Sequence, residues 1–299
     1  MKLHRRLLLA LAWILALPAL PLLSAHAQTP RSENEITRQL EAYRKAHPEH
    51  RLSALNAGDE SPTAVVAAAN DFGFRLFRTL NRNDTAANVI VSPVSVSQAL
   101  TMTYNGARGS TKRAMAQTLG IGAINDLALS PLNRQLLQAV HKADPDSRLE
   151  IANALWLQNG TSVNPRFVAL SKDYYGADVR SLDFATDPQH TVEIINAWVN
   201  RKTRGKIPSI LARLEPDTAL VLTDAVYFKG AWADVFDSHL SRPHTFFGSD
   251  GKAATTPMME QQRFYSYLET SDIQGIRLPY GNGNFAMYVL LPHARDGLG

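Results

Sequence analysis

The sequence contains no cysteine, which excludes disulfides, thiolate catalysis and cysteine-ligated zinc. Charged residues are scarce at 19% and hydrophobic ones make up 45%, a balance that excludes a disordered chain and fits a packed globule. No internal repeat or low-complexity tract is visible. No phosphate-binding loop is evident: Gly106-x-x-Gly109 and Gly281-x-Gly283 lack the strand–loop–helix context and read as turn glycines. Metal ligation finds little support either. His239 and His244 fit no helix face and no carboxylate completes a set, so they read as surface histidines, and no cofactor is expected. A strong charge of one sign is also missing. Lys2, Arg5 and Arg6 lie in a segment without acidic residues, and removing them takes the formal net charge from +4 to +1. A nearly neutral remainder gives no argument for nucleic-acid or membrane-surface binding.

The one long apolar run stands at the amino terminus. After the basic start, Leu7 to Leu23 is apolar and Ala25-His26-Ala27 offers small residues at cleavage positions. This is the pattern of a secretory signal peptide spanning residues 1–27, with an uncleaved anchor as the alternative. Pro18, Pro21 and the small-residue site favour cleavage. The expectation is therefore a secreted or periplasmic protein, free of the membrane after cleavage and held together by burial alone. Residues 28–61 are polar and charge-rich, a linker or arm with a short helical stretch at Glu35–Lys45 ended by His47-Pro48. Residues 62–299 form the globular domain.

That domain opens on a helix over about Thr63–Leu80, whose Val66, Asn70, Phe74 and Phe77 share a face, widened by Phe72 and Leu76. Asn88-Val89-Ile90-Val91 reads as a short strand. Ser92 then caps a helix through its hydroxyl, with Pro93 in the first turn, and that helix runs to Gly106. Another starts near Thr111 and ends at Leu119-Gly120. Leu149–Gln158 alternates as a strand, Pro165–Tyr175 is helical, Ala177–Phe184 is extended, and Pro188–Thr203 is a longer helix. Thr218–Phe228 is apolar on both faces and reads as a central strand covered on both sides. Short strands follow at His244–Phe247, Thr255–Met259, Phe264–Leu268, Ile273–Leu278 and Phe285–Leu291, the last two joined by a hairpin at Tyr280–Asn284. Early helices and late antiparallel strands argue for an α+β fold.

Several segments together resemble the serpin family. They include Asn88-Val-Ile-Val-Ser-Pro-Val-Ser95 with Gly106-Ala107-x-Gly109-x-Thr111, Asn153-Ala-Leu-Trp156, Thr203-Arg204-Gly205-Lys206-Ile207 and Tyr227-Phe228-Lys229-Gly230-x-Trp232. Pro257-Met258-Met259-x-Gln261, Leu278-Pro279-Tyr280 and Leu290-Leu291-Pro292 follow in family order. The resemblance implies several helices packed on a large mixed or antiparallel main sheet, with smaller sheets beside it. It also implies a non-enzymatic inhibitor of serine, or alternatively cysteine, proteases. In that family a protease cuts an exposed reactive loop, which then inserts into the main sheet as a new strand.

By resemblance, Ser92, Ser95 and Asp224 occupy the shutter, where central strands part, and Trp232 the breach, where the loop enters. None of these residues is expected to do chemistry. Val91-Ser92-Pro93 is not the Gly-x-Ser-x-Gly turn of a nucleophile. Asp224 departs from the family's asparagine, so if buried it needs donors or a raised pKa. Arg201, Lys202, Arg204 and Lys206 read as a solvated helix end in preference to a polysaccharide site. The asparagine triplets at Asn83 and Asn159 match the glycosylation pattern.

The resemblance further implies late strands, an acidic-then-alanine hinge and a reactive loop, none of which is expected before Gly299. The expectation is thus an incomplete chain, inactive alone, prone to self-association through exposed sheet edges. The alternatives are a non-inhibitory binding protein or a degenerate remnant of the same fold, with an unrelated secreted hydrolase last.

Overall fold

A computed structural model describes residues 7–18, 38, 41, 42, 45, 46, 62–82, 88–215, 217–248 and 252–294. Most of the predicted signal and arm, the Asn83 triplet and the segment after residue 294 lie outside the described residues. Leu7–Pro18 forms the first strand, β1. The long apolar run Thr218–Gly230 is strand β4, with Val221 to Tyr227 all buried. Its neighbour β2 (Arg148–Gln158) pairs with it antiparallel, setting Asn153 opposite Asp224 and Leu155 opposite Leu222. Strand β3 (Asp178–Leu182) joins β2 in parallel, and β1 lies antiparallel along the other edge of β4. The main sheet therefore runs β1-β4-β2-β3, mixed in direction as the resemblance implies.

Both faces of this sheet are covered, which is why β4 lacks polar alternation. On one face lie α2 (Pro93–Tyr104) and α5 (Pro165–Tyr175), whose Ala99, Met102, Phe167, Val168 and Tyr175 pack on Leu155, Leu157 and Leu222. On the other, α6 (Pro188–Lys202) lays Val192, Ile195, Trp198 and Val199 over Trp156, Val221 and Ala225. Trp156 and Trp198 meet edge to face at 5.9 Å. Each buried Val, Leu, Ile, Phe or Met among them contributes about 1.5–3 kcal/mol, and the aromatic pair roughly 0.5–1.5 kcal/mol more. Helix boundaries follow local chemistry: Asn164 caps α5 by accepting from the Arg166 N–H before Pro165, and left-handed Gly176 closes it.

A third core joins α1 (Pro62–Leu80), α2, α3 (Gly109–Leu119) and α4 (Asp126–Lys142) around Phe72, Tyr104, Leu119, Leu129 and Leu132. The remaining chain forms the hairpin β5 (Arg242–Phe247) and β6 (Ala253–Met258), and a three-stranded sheet of β7 (Ser266–Glu269), β8 (Ile273–Tyr280) and β9 (Phe285–Pro292). Asp144 anchors the β8–β9 turn, accepting from the Asn282 N–H at 3.2 Å. The turn's Gly281 passes so near that carboxylate that a Cβ would collide with it.

Two expectations about the elements fail, and one helix was not foreseen. Asn88–Val91 is irregular, because among the described residues no strand lies beside it to complete a ladder. The buried face of α1 is Val65, Ala68, Ala69, Phe72 and Gly73, while Val66, Phe74 and Phe77 stay exposed. Small residues win that face because α2 comes close. Helix α4, unforeseen, runs through Pro131, with Asn125 accepting from the Leu127 N–H as its cap.

A Cβ on Gly73 would overlap the Pro93 ring, so Gly73→Ala should destabilise by roughly 1–3 kcal/mol through overpacking. Gly122→Ala, where a Cβ meets nothing within 4 Å, should leave the melting temperature unchanged. Paired thermal melts check both.

Candidate functional site

Side chains at alternate positions of β4 divide between its two covers. Val221 and Ala225 meet the α6 side, while Leu222, and hence Asp224, faces α2 and α5. Asp224 is 1% exposed, and neither of its carboxylate oxygens has a hydrogen-bond partner among the described residues. Its neighbour across the ladder, Asn153, is equally buried and directs Nδ2 to the Tyr175 carbonyl at 3.5 Å, with Oδ1 unbonded among the described residues. Burial disfavours the charged form and pushes the Asp224 carboxyl up to about 8. A neutral acid both donates and accepts, as an asparagine amide does. At neutral pH Asp224 therefore resembles the family's asparagine more than its charge suggests.

On α2, Ser95 is fully buried and its hydroxyl has no partner among the described residues, so it bonds neither to Asp224 nor to Ser92. Ser92 precedes the helix at φ −106° and ψ 95°, and its hydroxyl makes no capping bond, contrary to the sequence expectation. The backbone alone starts the helix there, the Ser92 carbonyl accepting from the Val96 N–H at 3.1 Å, with Pro93 in the first turn where its missing N–H costs nothing. The three shutter residues thus belong to the α2–β4 region without a hydrogen-bonded network joining them. Other buried polar groups of α2 do find partners: Gln98 Nε2 donates to Asn133 at 2.8 Å, and Asn105 to the Tyr175 hydroxyl at 3.2 Å. Trp156 donates across the other face to Thr223 at 3.0 Å.

Trp232 stands apart, beyond the exit of β4. It is 7% exposed, forms an isolated bridge with Tyr280 and stacks on that ring at 4.3 Å and 16°. Phe236 meets Trp232 edge to face at 5.6 Å and Phe228 meets Tyr280 at 5.1 Å. Gly230 is required here, since a Cβ would come within 2.7 Å of the Tyr280 ring. Two family motifs, the exit of β4 and Leu278-Pro279-Tyr280, therefore form one aromatic stack, which sequence order alone did not reveal.

The basic cluster is dispersed. Arg204 pairs with Glu150 at 2.9 Å, and Lys202 lies 3.6 Å from Asp178 and over the Trp198 ring. His239 and His244 are exposed, and no metal-holding group of ligands occurs among the described residues. No described helix is long and apolar enough to cross a membrane.

The folded Asp224 carboxyl holds its proton from its unfolded value of 3.8 up to about 8. Its contribution to stability is full below pH 3.8 and is lost as pH rises towards 8. Parent and Asp224→Asn should therefore diverge by about 1.4 kcal/mol per pH unit at most across that window, with the asparagine variant the more stable at pH 8. Denaturant titrations at several pH values check this, and equal slopes would contradict it.

The comparisons with known proteins agree with this geometry. The family model described as "Serpin (serine protease inhibitor)" matches residues 67–299. An uncharacterized serpin-like protein of Thermococcus kodakarensis is 35% identical over 245 residues, covering 82% of this chain and 56% of that protein. Intracellular coagulation inhibitor 1 of Tachypleus tridentatus is 36% identical over 239 residues, covering 78% and 56%. Among solved structures, emu (Dromaius novaehollandiae) ovalbumin superposes with a TM-score of 0.75 at 27% identity, over 79% of this chain and 65% of that one. The chain spans a little over half the length of these two curated relatives. The family model, the relatives and the superposed fold agree: the chain belongs to the serpin family.

Proposed function

We propose that this chain supplies the strand-receiving body of an exported protease inhibitor of the loop-insertion type, directed at serine or cysteine proteases. The observation that carries the reading is β4, a long central strand buried on both faces, whose edge away from β2 takes up an antiparallel strand. The family description and the inhibitor named among the relatives support the same direction. In this reading Ser92, Ser95 and Asp224 govern how the centre of the sheet opens and Trp232 governs its upper entry. In this reading none of them performs chemistry.

On this reading residues 1–299 form no inhibitory complex by themselves, because the reactive bond lies in sequence they do not contain. Incubation with trypsin-, chymotrypsin-, elastase- and papain-type proteases should give ordinary cleavage or none. A complex surviving denaturing electrophoresis would place a reactive bond inside these residues and overturn this part. The coding sequence beyond the Gly299 codon should encode a hinge of small residues followed by an exposed loop; its absence would sink the inhibitor reading.

Exposed apolar side chains concentrate on the smaller sheets, at Phe246, Phe247, Tyr288, Leu290 and Leu291, with Phe264 nearby. Such patches favour association, so sedimentation of the isolated chain should reveal species larger than a monomer. A single monodisperse monomer at micromolar concentration would contradict that expectation.

A further inference from the structure

Away from the main sheet, the start of α3, the start of α4 and one face of α5 enclose a cavity of about 490 Å³, the size of a small-molecule site. Its whole wall comes from residues 105–174. At the mouth stand Arg108 and Arg166, both exposed, and Lys112. Lys112 is held by Asp126 at 2.5 Å, and Asp126 also accepts from the Tyr104 hydroxyl at 2.6 Å. Arg108 and Arg166 have no ion pair among the described residues. A Cβ on Gly106 would lie 3.1 Å from the Phe167 ring, so the chain leading to Arg108 passes the first turn of α5. Arg108 supplies no side-chain cap to α3, and the first turn of that helix has no acidic residue. Its leading N–H groups therefore add positive character at the same mouth.

The wall continues along α5 through Ala169 and Leu170 to Tyr174, with Pro131 contributed by α4. Arg166, Ala169, Leu170 and Tyr174 recur at helical spacing and share one face. Tyr174 stands just over two turns from Arg166, about 12 Å along the axis. It is 4% exposed, and its hydroxyl has no hydrogen-bond partner among the described residues. A buried hydroxyl left unpaired is costly, so this end of the cavity favours a polar group that reaches it. Asp173, in the same wall, disfavours a second negative charge there.

We propose that the cavity binds a slender amphipathic monoanion. Its carboxylate sits at Arg108, Arg166 and the start of α3, its apolar chain runs along Ala169, Leu170 and Pro131, and its terminal hydroxyl meets Tyr174. An ω-hydroxy acid with a decyl-length chain has this span. Such a ligand ties α5, which covers the main sheet, to α3 and α4 of the third core. The site does not depend on the inhibitor reading.

Isothermal titration calorimetry of the full chain with ω-hydroxydecanoate, decanoate and decyltrimethylammonium tests this, because the three share a chain and differ at its ends. Both acids should bind saturably at one site, the hydroxy acid about two- to tenfold more tightly, and the cation should not displace them. Tyr174→Phe should abolish the preference and leave decanoate binding unchanged. Arg108→Gln combined with Arg166→Gln should weaken both acids by at least about tenfold. Circular dichroism should match across the variants, since both arginines are exposed and the tyrosine hydroxyl has no partner to lose.

The proposal is overturned if neither acid binds saturably, or if the cation competes as well as the acids. It is equally overturned if binding survives the double arginine substitution, which would put the acids on the exposed apolar sheets. Equal affinity of the two acids for the parent chain, or a preference that persists in Tyr174→Phe, removes the role of the tyrosine and with it the proposed ligand class. Each of these leaves the inhibitor reading intact, because no protease enters the assay.

Discussion

The ladder between β2 and β4 holds the two faces of the molecule together. Through it Leu155 and Leu222 meet α2 and α5 on one side, while Trp156 and Val221 meet α6 on the other. Slipping the register by one residue would send the whole apolar set of each strand to the wrong cover. Remove the ladder and three helices lose the surface they pack on, whereas the α1–α4 core and the exposed hairpin β5–β6 would keep their own contacts.

At the centre of that ladder sits a polar defect. Asp224, Asn153 and Ser95 are all buried with oxygens that find no partner among the described residues. A satisfied network there would rigidify the sheet, and a partly satisfied one costs stability. Keeping Asp224 protonated avoids burying a charge, at the cost of a pH-dependent weakness in the middle of the most covered strand. At the far end, the Trp232–Tyr280 stack ties β4 to the separate sheet β7–β8–β9.

Much of this was legible in sequence because the relevant signals are local. The two-sided apolar run marked β4, the helix over Pro165–Tyr175 was placed, and the Gly281–Gly283 turn joined β8 to β9. The ordered motifs also identified the family. What stayed hidden depended on distance in space. The face of α1 was misread in part, since Phe72 is buried as expected, but Phe74 and Phe77 outweigh Ala68, Ala69 and Gly73 in hydrophobicity and yet stay exposed. Helix α4 was obscured by Pro131, although Asn125-Asp126 followed by Leu129, Leu132 and Leu136 carried a cap and helical spacing. Asn88–Val91 has strand composition, but composition supplies no neighbour. Asp224 was flagged as needing donors if buried; that it would find none needed the coordinates, and the same holds for the aromatic stack of Trp232 on Tyr280.

Amide hydrogen exchange on the full chain tests the organising role of the β2–β4 ladder most directly. The account predicts that the amides of Val221–Tyr227 and of Ala154–Leu157 are among the slowest in the molecule and exchange together, far behind those of β5 and β6. Exchange of the β4 amides at the rates of that exposed hairpin would contradict it.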